Sequence, residues 1–182
     1  WPESKWHRHA SIHTFSGGKE RSDTVQKGLQ WLLEKTGVQE QEVLVHDAAR
    51  PLLTQGALDQ IILHNSPQGA LLAMPARDTV KLQRSGCHTV EKTLDRNSIW
   101  LAQTPQKFSL GKLLAALEQA KIDNVTITDE CSAMELIGCH PDFLMGESSN
   151  IKVTLPEDLL IAEALFSYLF HSDLNIDINS DK

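Results

Sequence analysis

Basic residues are scarce relative to acids: 17 Lys and Arg stand against 24 Asp and Glu, for a formal net charge of −7. Nucleic-acid binding usually needs a basic footprint, so that balance argues against a nucleic-acid partner. A small anionic substrate stays open, because a phosphate site needs only a few local cations and backbone N–H groups. Cysteine is equally sparse. Cys87, Cys131 and Cys139 are the three present; they form no C-x-x-C, and an odd number fits a reduced compartment better than a disulfide framework. Cys139-His140 lacks the paired short spacings of structural zinc. No apolar run reaches the roughly 18 residues of a membrane helix, and WPESKWHRHA is not followed by the apolar core of a signal peptide. A cytoplasmic protein with no membrane partner is the expectation. Also lacking are G-x-G-x-x-G at a helix start, G-x-x-x-x-G-K-[ST], and the nucleophile elbow G-x-S-x-G. Ser16-Gly17-Gly18-Lys19 imitates a phosphate loop only superficially.

What remains is an ordinary globular composition. The 182 residues are 41% hydrophobic and 23% charged, which suits one domain with a sizeable core. Strands and helices alternate along it. SIHTFSGG (11–18) reads as an extended segment ending in a turn. Val25, Leu29, Leu32 and Leu33 recur at helical spacing, and Gly37 supplies the stop. EVLVHDAA (42–49) and GALLAMP (69–75) open or run as continuous apolar stretches, as expected of strands buried on both faces. Between them Thr54 caps a helix carrying Leu58, Ile61 and Ile62. TVKLQ and HTVEKTL, joined by Arg84-Ser85-Gly86, alternate as a β-hairpin; its polarity marks it as an arm spanning about 78–100. Helices follow from Ser109 through Leu117 and from Thr128 or Asp129 to Ile137. FLMGE (143–147) and NIKVT (150–154) read as short strands. Thr154-x-x-Glu157 then makes a capping box for an amphipathic helix through Leu169. The acidic tail 172–182 reads as disordered.

Repeated βα units predict an α/β fold with a mostly parallel sheet in one domain over 1–171. Ligands of such sheets bind at the carboxyl ends of strands. Asp47 lies there, able to bond ribose hydroxyls or help hold a divalent cation. Ala48 and Ala49 admit a ligand close to the backbone, and Arg50 can pair with a phosphate or with Asp47 itself. Thr79 and Arg96 flank the arm, where a hydroxyl and a guanidinium suit phosphate recognition, or are ordinary surface groups. Lys152 either neutralises a phosphate or guards an exposed strand edge. Thr128-Asp129-Glu130 is also a good helix N-terminus. From the residues alone, the destination is an α/β domain with convergent polar loops for a phosphorylated ligand.

Six strings carry a more specific signal: GGKERSDTV (17–25), VLVHDAARP (43–51), PARDTVK (75–81), TLDRNSIWLAQTPQKF (93–108), TITDECSAME (126–135) and NIKVTLPEDLLIAE (150–163). Together they resemble, in order and spacing, the 2-C-methyl-D-erythritol 4-phosphate cytidylyltransferase family of the non-mevalonate isoprenoid pathway. The resemblance implies a Rossmann-like sheet of the nucleotide-diphospho-sugar transferase type, with a projecting β-arm that forms a homodimer. It implies transfer of CMP from CTP to methylerythritol 4-phosphate with a divalent cation, usually Mg2+, and release of pyrophosphate. By the same resemblance Thr24, Asp47 and Ala48 match nucleotide-binding positions. Asp47, Ala48, Arg50, Thr104 and Thr128 match the substrate site, and Lys152 matches a catalytic lysine in it. Thr79 and Arg96 match arm residues that reach the partner's phosphate site and join the catalytic set. The residues holding the metal are not assigned by it.

One part of the family pattern does not occur in these 182 residues. It is a Gly-rich A-A-G-x-G-x-R-M loop, followed by P-K-Q, which cradles the triphosphate. The expectation is a chain short of its first strands and of little activity alone. Two alternatives stand beside the main reading: a ribitol-5-phosphate cytidylyltransferase, and a non-catalytic dimeric remnant.

Overall fold

The computed structural model describes residues 9–170, so the expected disorder of the tail from Ser172 lies outside the described residues. These residues fall into two compact units, one from 9–42 with 109–139 and one from 43–108 with 140–170.

The first unit is helical. Helix α1 (Arg21–Thr36) opens at Glu20 with a reciprocal capping box and ends at Gly37, whose left-handed φ of 67° closes the last turn. A residue with a Cβ resists that conformation, which is why the sequence signal at Gly37 was reliable. Helix α3 (Leu110–Ile122) is the core of the unit, burying Leu110, Leu113, Ala116, Leu117 and Ala120 against α1 and α4 (Glu130–Leu136). Asp129 caps α4 by accepting the Ser132 N–H at 2.9 Å. The segment 11–18, expected to be extended, forms no strand.

The second unit holds a four-stranded sheet in the order β1-β5-β2-β6, built from β1 (Glu42–Val45), β2 (Ala70–Pro75), β5 (Trp100–Ser109) and β6 (Asp142–Met145). Helix α2 (Gln55–Leu63) packs Ala57 and Ile61 on Leu72 of β2. Its expected cap is present, with the Thr54 hydroxyl accepting the Ala57 N–H at 3.2 Å. At its other end the buried Lys107 ammonium donates to the carbonyls of Ile62 and His64, 2.8 Å each, satisfying acceptors that a helix C-terminus leaves open. The arm is a separate two-stranded ribbon, β3 (Lys81–Gln83) with β4 (Val90–Thr93), antiparallel and fully exposed.

The sheet corrects the expectation of a mostly parallel one. It is mixed: β2 runs parallel to β6 but antiparallel to β5. Strand β5 was not foreseen, since a proline in mid-strand argues against a ladder. Pro105 is accommodated by a bulge: Leu71 faces Gln106 and Ala73 faces Ala102, so Leu72 alone lies opposite Gln103, Thr104 and Pro105. Bulges of this kind re-aim side chains and recur beside active sites. Residues 150–154, expected as a strand, are held instead as a loop by the Val153 N–H on the Ala49 carbonyl at 2.8 Å. Helix α5 (Pro156–Phe170) forms where expected, but only Ala162 of it is buried, and Leu159, Leu160 and Phe166 are exposed. Among the described residues no helix is long and apolar enough to cross a membrane.

One glycine in this unit has no substitute. Gly69 enters β2 with φ of 87°, and a Cβ there would overlap the Phe108 ring and sit 2.7 Å from the Lys107 carbonyl oxygen. Phe108 is itself 1% exposed and cannot turn aside. Replacing Gly69 by Ala is expected to cost about 3 kcal/mol, from left-handed strain and overpacking together. Urea denaturation of the variant checks this; a change below about 1 kcal/mol would show that the turn relaxes.

Candidate active site

The loop that leaves β1 carries His46, Asp47, Ala48, Ala49 and Arg50, and two other segments of the same unit converge on it. The first is the bulge of β5. Asp47 donates its N–H to the Thr104 hydroxyl at 3.0 Å, and that hydroxyl lies 2.9 Å from His46 Nδ1. The second is the 150–154 loop, fastened to Ala49 by Val153. It brings the Lys152 ammonium to 2.9 Å from the Asp47 carboxylate. Asp47 is only 12% exposed in its side chain, whereas Lys152 is 44% exposed, so the cation is the partner open to solvent. Arg50 ties the loop to both segments: its guanidinium donates to the Asn150 carbonyl at 2.7 Å and faces the Ala102 carbonyl at 3.4 Å. Burial pushes the Arg50 pKa below its usual value, and the neighbouring Asp47 charge opposes that. A guanidinium stays charged regardless.

Asn150 lies beneath these groups and is 0% exposed. Its amide donates to the Thr104 carbonyl at 2.8 Å and toward Gln103 at 3.4 Å. Its own Oδ1 and the Arg50 Nε are both buried without a protein partner. Buried polar atoms are nearly always satisfied, so an ordered water or a ligand hydroxyl, able to donate to Oδ1 and accept from Nε, is the natural complement of this pair. Asp47, Ala48, Arg50, Thr104 and Lys152 are thus five expected residues that the structure brings together.

The other candidates lie elsewhere in the chain. Thr79 and Arg96 sit at the base of the arm, both exposed, with Arg96 donating to the Arg77 carbonyl at 2.6 Å. Thr24 belongs to the helical unit. There its hydroxyl accepts the Gly18 N–H at 2.9 Å and donates to the Glu20 carbonyl at 3.2 Å, folding the 17–20 loop over the start of α1. Thr128 is exposed in the same unit, just before the α4 cap. Arg21 and Glu130 join these two helix starts by a bidentate pair at 2.6 and 3.0 Å. Sequence reading missed His46 and Asn150 as structural members of the site. No periodicity marks them; the only hint was a polar residue directly beside Asp47 and another two before Lys152.

Burial raises the Cys131 pKa to about 12, with the Glu135 carboxylate adding to the effect, so it is not a nucleophile. Among the described residues no group of three His, Cys, Asp or Glu could hold a metal ion. Asp47, the one acid of the site, already pairs with Lys152, so these residues do not build a resident cation site.

The model of IspD, 2-C-methyl-D-erythritol 4-phosphate cytidylyltransferase, matches residues 4–168. The chain belongs to that family. A cytidylyltransferase of that name from Pseudomonas aeruginosa is 46% identical over 171 residues, covering 92% of this chain and 72% of the relative. One from Acidithiobacillus ferrooxidans is 50% identical over 153 residues, covering 83% of this chain and 64% of the relative. The crystal structure of the Francisella tularensis cytidylyltransferase superposes with a TM-score of 0.78 at 34% identity, over 90% of this chain and 76% of that one. The chain therefore spans about two thirds to three quarters of these IspD relatives, and it shares their α/β fold.

Proposed function

We propose that this chain transfers CMP from CTP to 2-C-methyl-D-erythritol 4-phosphate, releasing pyrophosphate, in the cytoplasm. Beyond family membership, the observation that supports it is the Asp47–Lys152 pair beside a half-buried Arg50, at the carboxyl end of β1. An incoming phosphate competes with Asp47 for the half-exposed ammonium. Asp47, released, becomes an acceptor for a substrate or ribose hydroxyl. The substrate phosphate oxygen then attacks the α-phosphorus of CTP. A new P–O bond forms, the bond from the α-phosphorus to the α–β bridging oxygen breaks, and pyrophosphate leaves with the electron pair. No covalent enzyme intermediate is needed, so catalysis is positioning and charge stabilisation.

Lys152 supplies one positive charge at the attacking phosphate. Thr79 and Arg96 lie on the arm, and a second copy of the chain exchanging arms would deliver them to this site as the remaining phosphate contacts. Thr24 and Ala48 serve the nucleotide, Arg50, Thr104 and Thr128 the polyol phosphate. Magnesium would arrive on the triphosphate, held by phosphate oxygens and water; no step above depends on it. Because the 182 residues contain no Gly-rich triphosphate loop, slow turnover is expected, since each preorganised donor is worth about 10²–10³ in rate.

The test is pyrophosphate release by the full 182-residue chain with CTP and Mg2+, paired with calorimetric binding of methylerythritol 4-phosphate. Expected are measurable binding and a slow release that stops when the polyol phosphate is withheld. Ribitol 5-phosphate should not substitute. Absence of both binding and release would overturn the reading, as would release favouring ribitol 5-phosphate.

A further inference from the structure

His46 sits where its two ring nitrogens have different obligations. Nε2 lies 3.0 Å from the Arg50 carbonyl oxygen. That oxygen can only accept, so Nε2 must carry a proton. In the neutral ring Nδ1 is then a bare acceptor, and it faces the Thr104 hydroxyl at 2.9 Å. The hydroxyl has one proton and gives it to Nδ1. A lone pair of the same oxygen accepts the Asp47 N–H at 3.0 Å. The three hydrogen bonds therefore run one way: Asp47 N–H to Thr104, Thr104 O–H to His46, His46 Nε2–H to the Arg50 carbonyl. Reversing any one of them leaves two protons or two lone pairs facing each other.

This relay begins and ends in the loop it orders. It spans the turn from Asp47 to Arg50, which the Arg50 N–H also closes onto the Asp47 carbonyl at 2.9 Å. It anchors the turn to Thr104 on the β5 bulge. Thr104 is 4% exposed, and its hydroxyl gives its one proton and one lone pair to the protein, so only its second lone pair is left to accept from a substrate hydroxyl. His46 itself is exposed, yet both of its nitrogens face inward partners.

We propose that His46, in its Nε2–H tautomer, is a positioning residue acting through Thr104: the pair sets the Asp47 backbone, and with it the carboxylate that meets Lys152. Thr104 then belongs to the site's frame as well as to its substrate-facing lining. The consequence for ligand affinity rests on the functional reading above, whereas the tautomer and the ordering of the Asp47 amide do not.

The experiment uses the full chain labelled with 15N. Long-range proton–nitrogen correlation at pH 8 should show His46 protonated at Nε2, with Nδ1 shifted as a hydrogen-bond acceptor. Thr104→Val should move the Nδ1 resonance and leave Nε2 in place. Hydrogen exchange of the Asp47 amide should quicken about tenfold in Thr104→Val and in His46→Ala, as for loss of one ordinary hydrogen bond. The double variant should be no faster than either single one, because both break the same relay. Thr104→Ser, which keeps the hydroxyl, should restore slow exchange. Titration with methylerythritol 4-phosphate adds the functional arm: equal, non-additive losses of affinity in the two single variants. A Nδ1–H tautomer would overturn the proposal. So would an Asp47 amide indifferent to His46→Ala, or effects on exchange that add. If the wild-type chain binds no polyol phosphate, the functional reading fails while the tautomer and exchange results still decide this one.

Discussion

Replacing Arg21 by Met is expected to cost about 3 kcal/mol of folding free energy, near the lower bound for breaking a buried ion pair from one side. Glu130 is 1% exposed in its side chain, while Arg21 is 35% exposed. The cost therefore comes from the acid left behind: a carboxylate in the core of the helical unit loses a bidentate partner at 2.6 and 3.0 Å. The position of Glu130 in the first turn of α4 recovers a little, because the open N–H groups there favour negative charge. Urea denaturation followed by circular dichroism measures the loss. Arg21→Lys should fall between, since an ammonium cannot match both carboxylate oxygens at once. The decisive control is Arg21→Met combined with Glu130→Leu, which removes the stranded charge and should return most of the stability. If the double variant is as unstable as the single one, the pair is not what binds the starts of α1 and α4. Thr24 and Thr128 stand beside those two starts, so the same variant should disturb them as well.

The helices were legible because their ends are written in single residues. Gly37, Thr54 and Gly138 each stop or start a helix through a local backbone need, and each does so in the structure. The start of α5 shows the margin of such reading. The helix begins at Pro156, which makes Asp158 the third helical residue; its carboxylate, and not that of Glu157, accepts the Thr154 and Leu155 N–H groups at 2.9 and 2.8 Å. Those bonds hold the Asp158 carboxyl below the usual carboxylate range. Strand β5 was illegible for a deeper reason. Gln103, Thr104 and Lys107 are polar and buried, each at or below 8% exposure, and their burial is tolerated only because distant partners satisfy them. Glu147, Asn150, His46 and the end of α2 supply those partners, and no local pattern can announce a partner more than forty residues away. The same holds for the site. Asp47, Arg50 and Lys152 could be named because their chemistry is suggestive wherever they sit. His46 and Asn150 act through what they hold in place, which only the fold reveals.

Lys152→Met is expected to lower kcat/KM for the cytidylyl transfer by about 10²–10³, the usual effect of removing one preorganised charge from a transition state. Stability should hardly follow. The ammonium is 44% exposed, and ion pairs so open to water contribute about 0–1 kcal/mol. That dissociation of activity from stability separates a catalytic lysine from an ordinary surface charge, for which both quantities would stay near wild type. The partner acid sharpens the distinction. Asp47→Asn removes the carboxylate that holds Lys152 at 2.9 Å but leaves the ammonium free to meet a phosphate. Its loss should appear chiefly as weaker binding of the hydroxyl-bearing ligand, in KM more than in kcat. Lys152→Arg should not rescue, since the larger planar fork does not fit where a compact point charge rests against Asp47. A kcat/KM within threefold of wild type in Lys152→Met would remove Lys152 from the reaction and leave Arg50, half-buried and already bonded to the Asn150 carbonyl, as the remaining cation of this cluster.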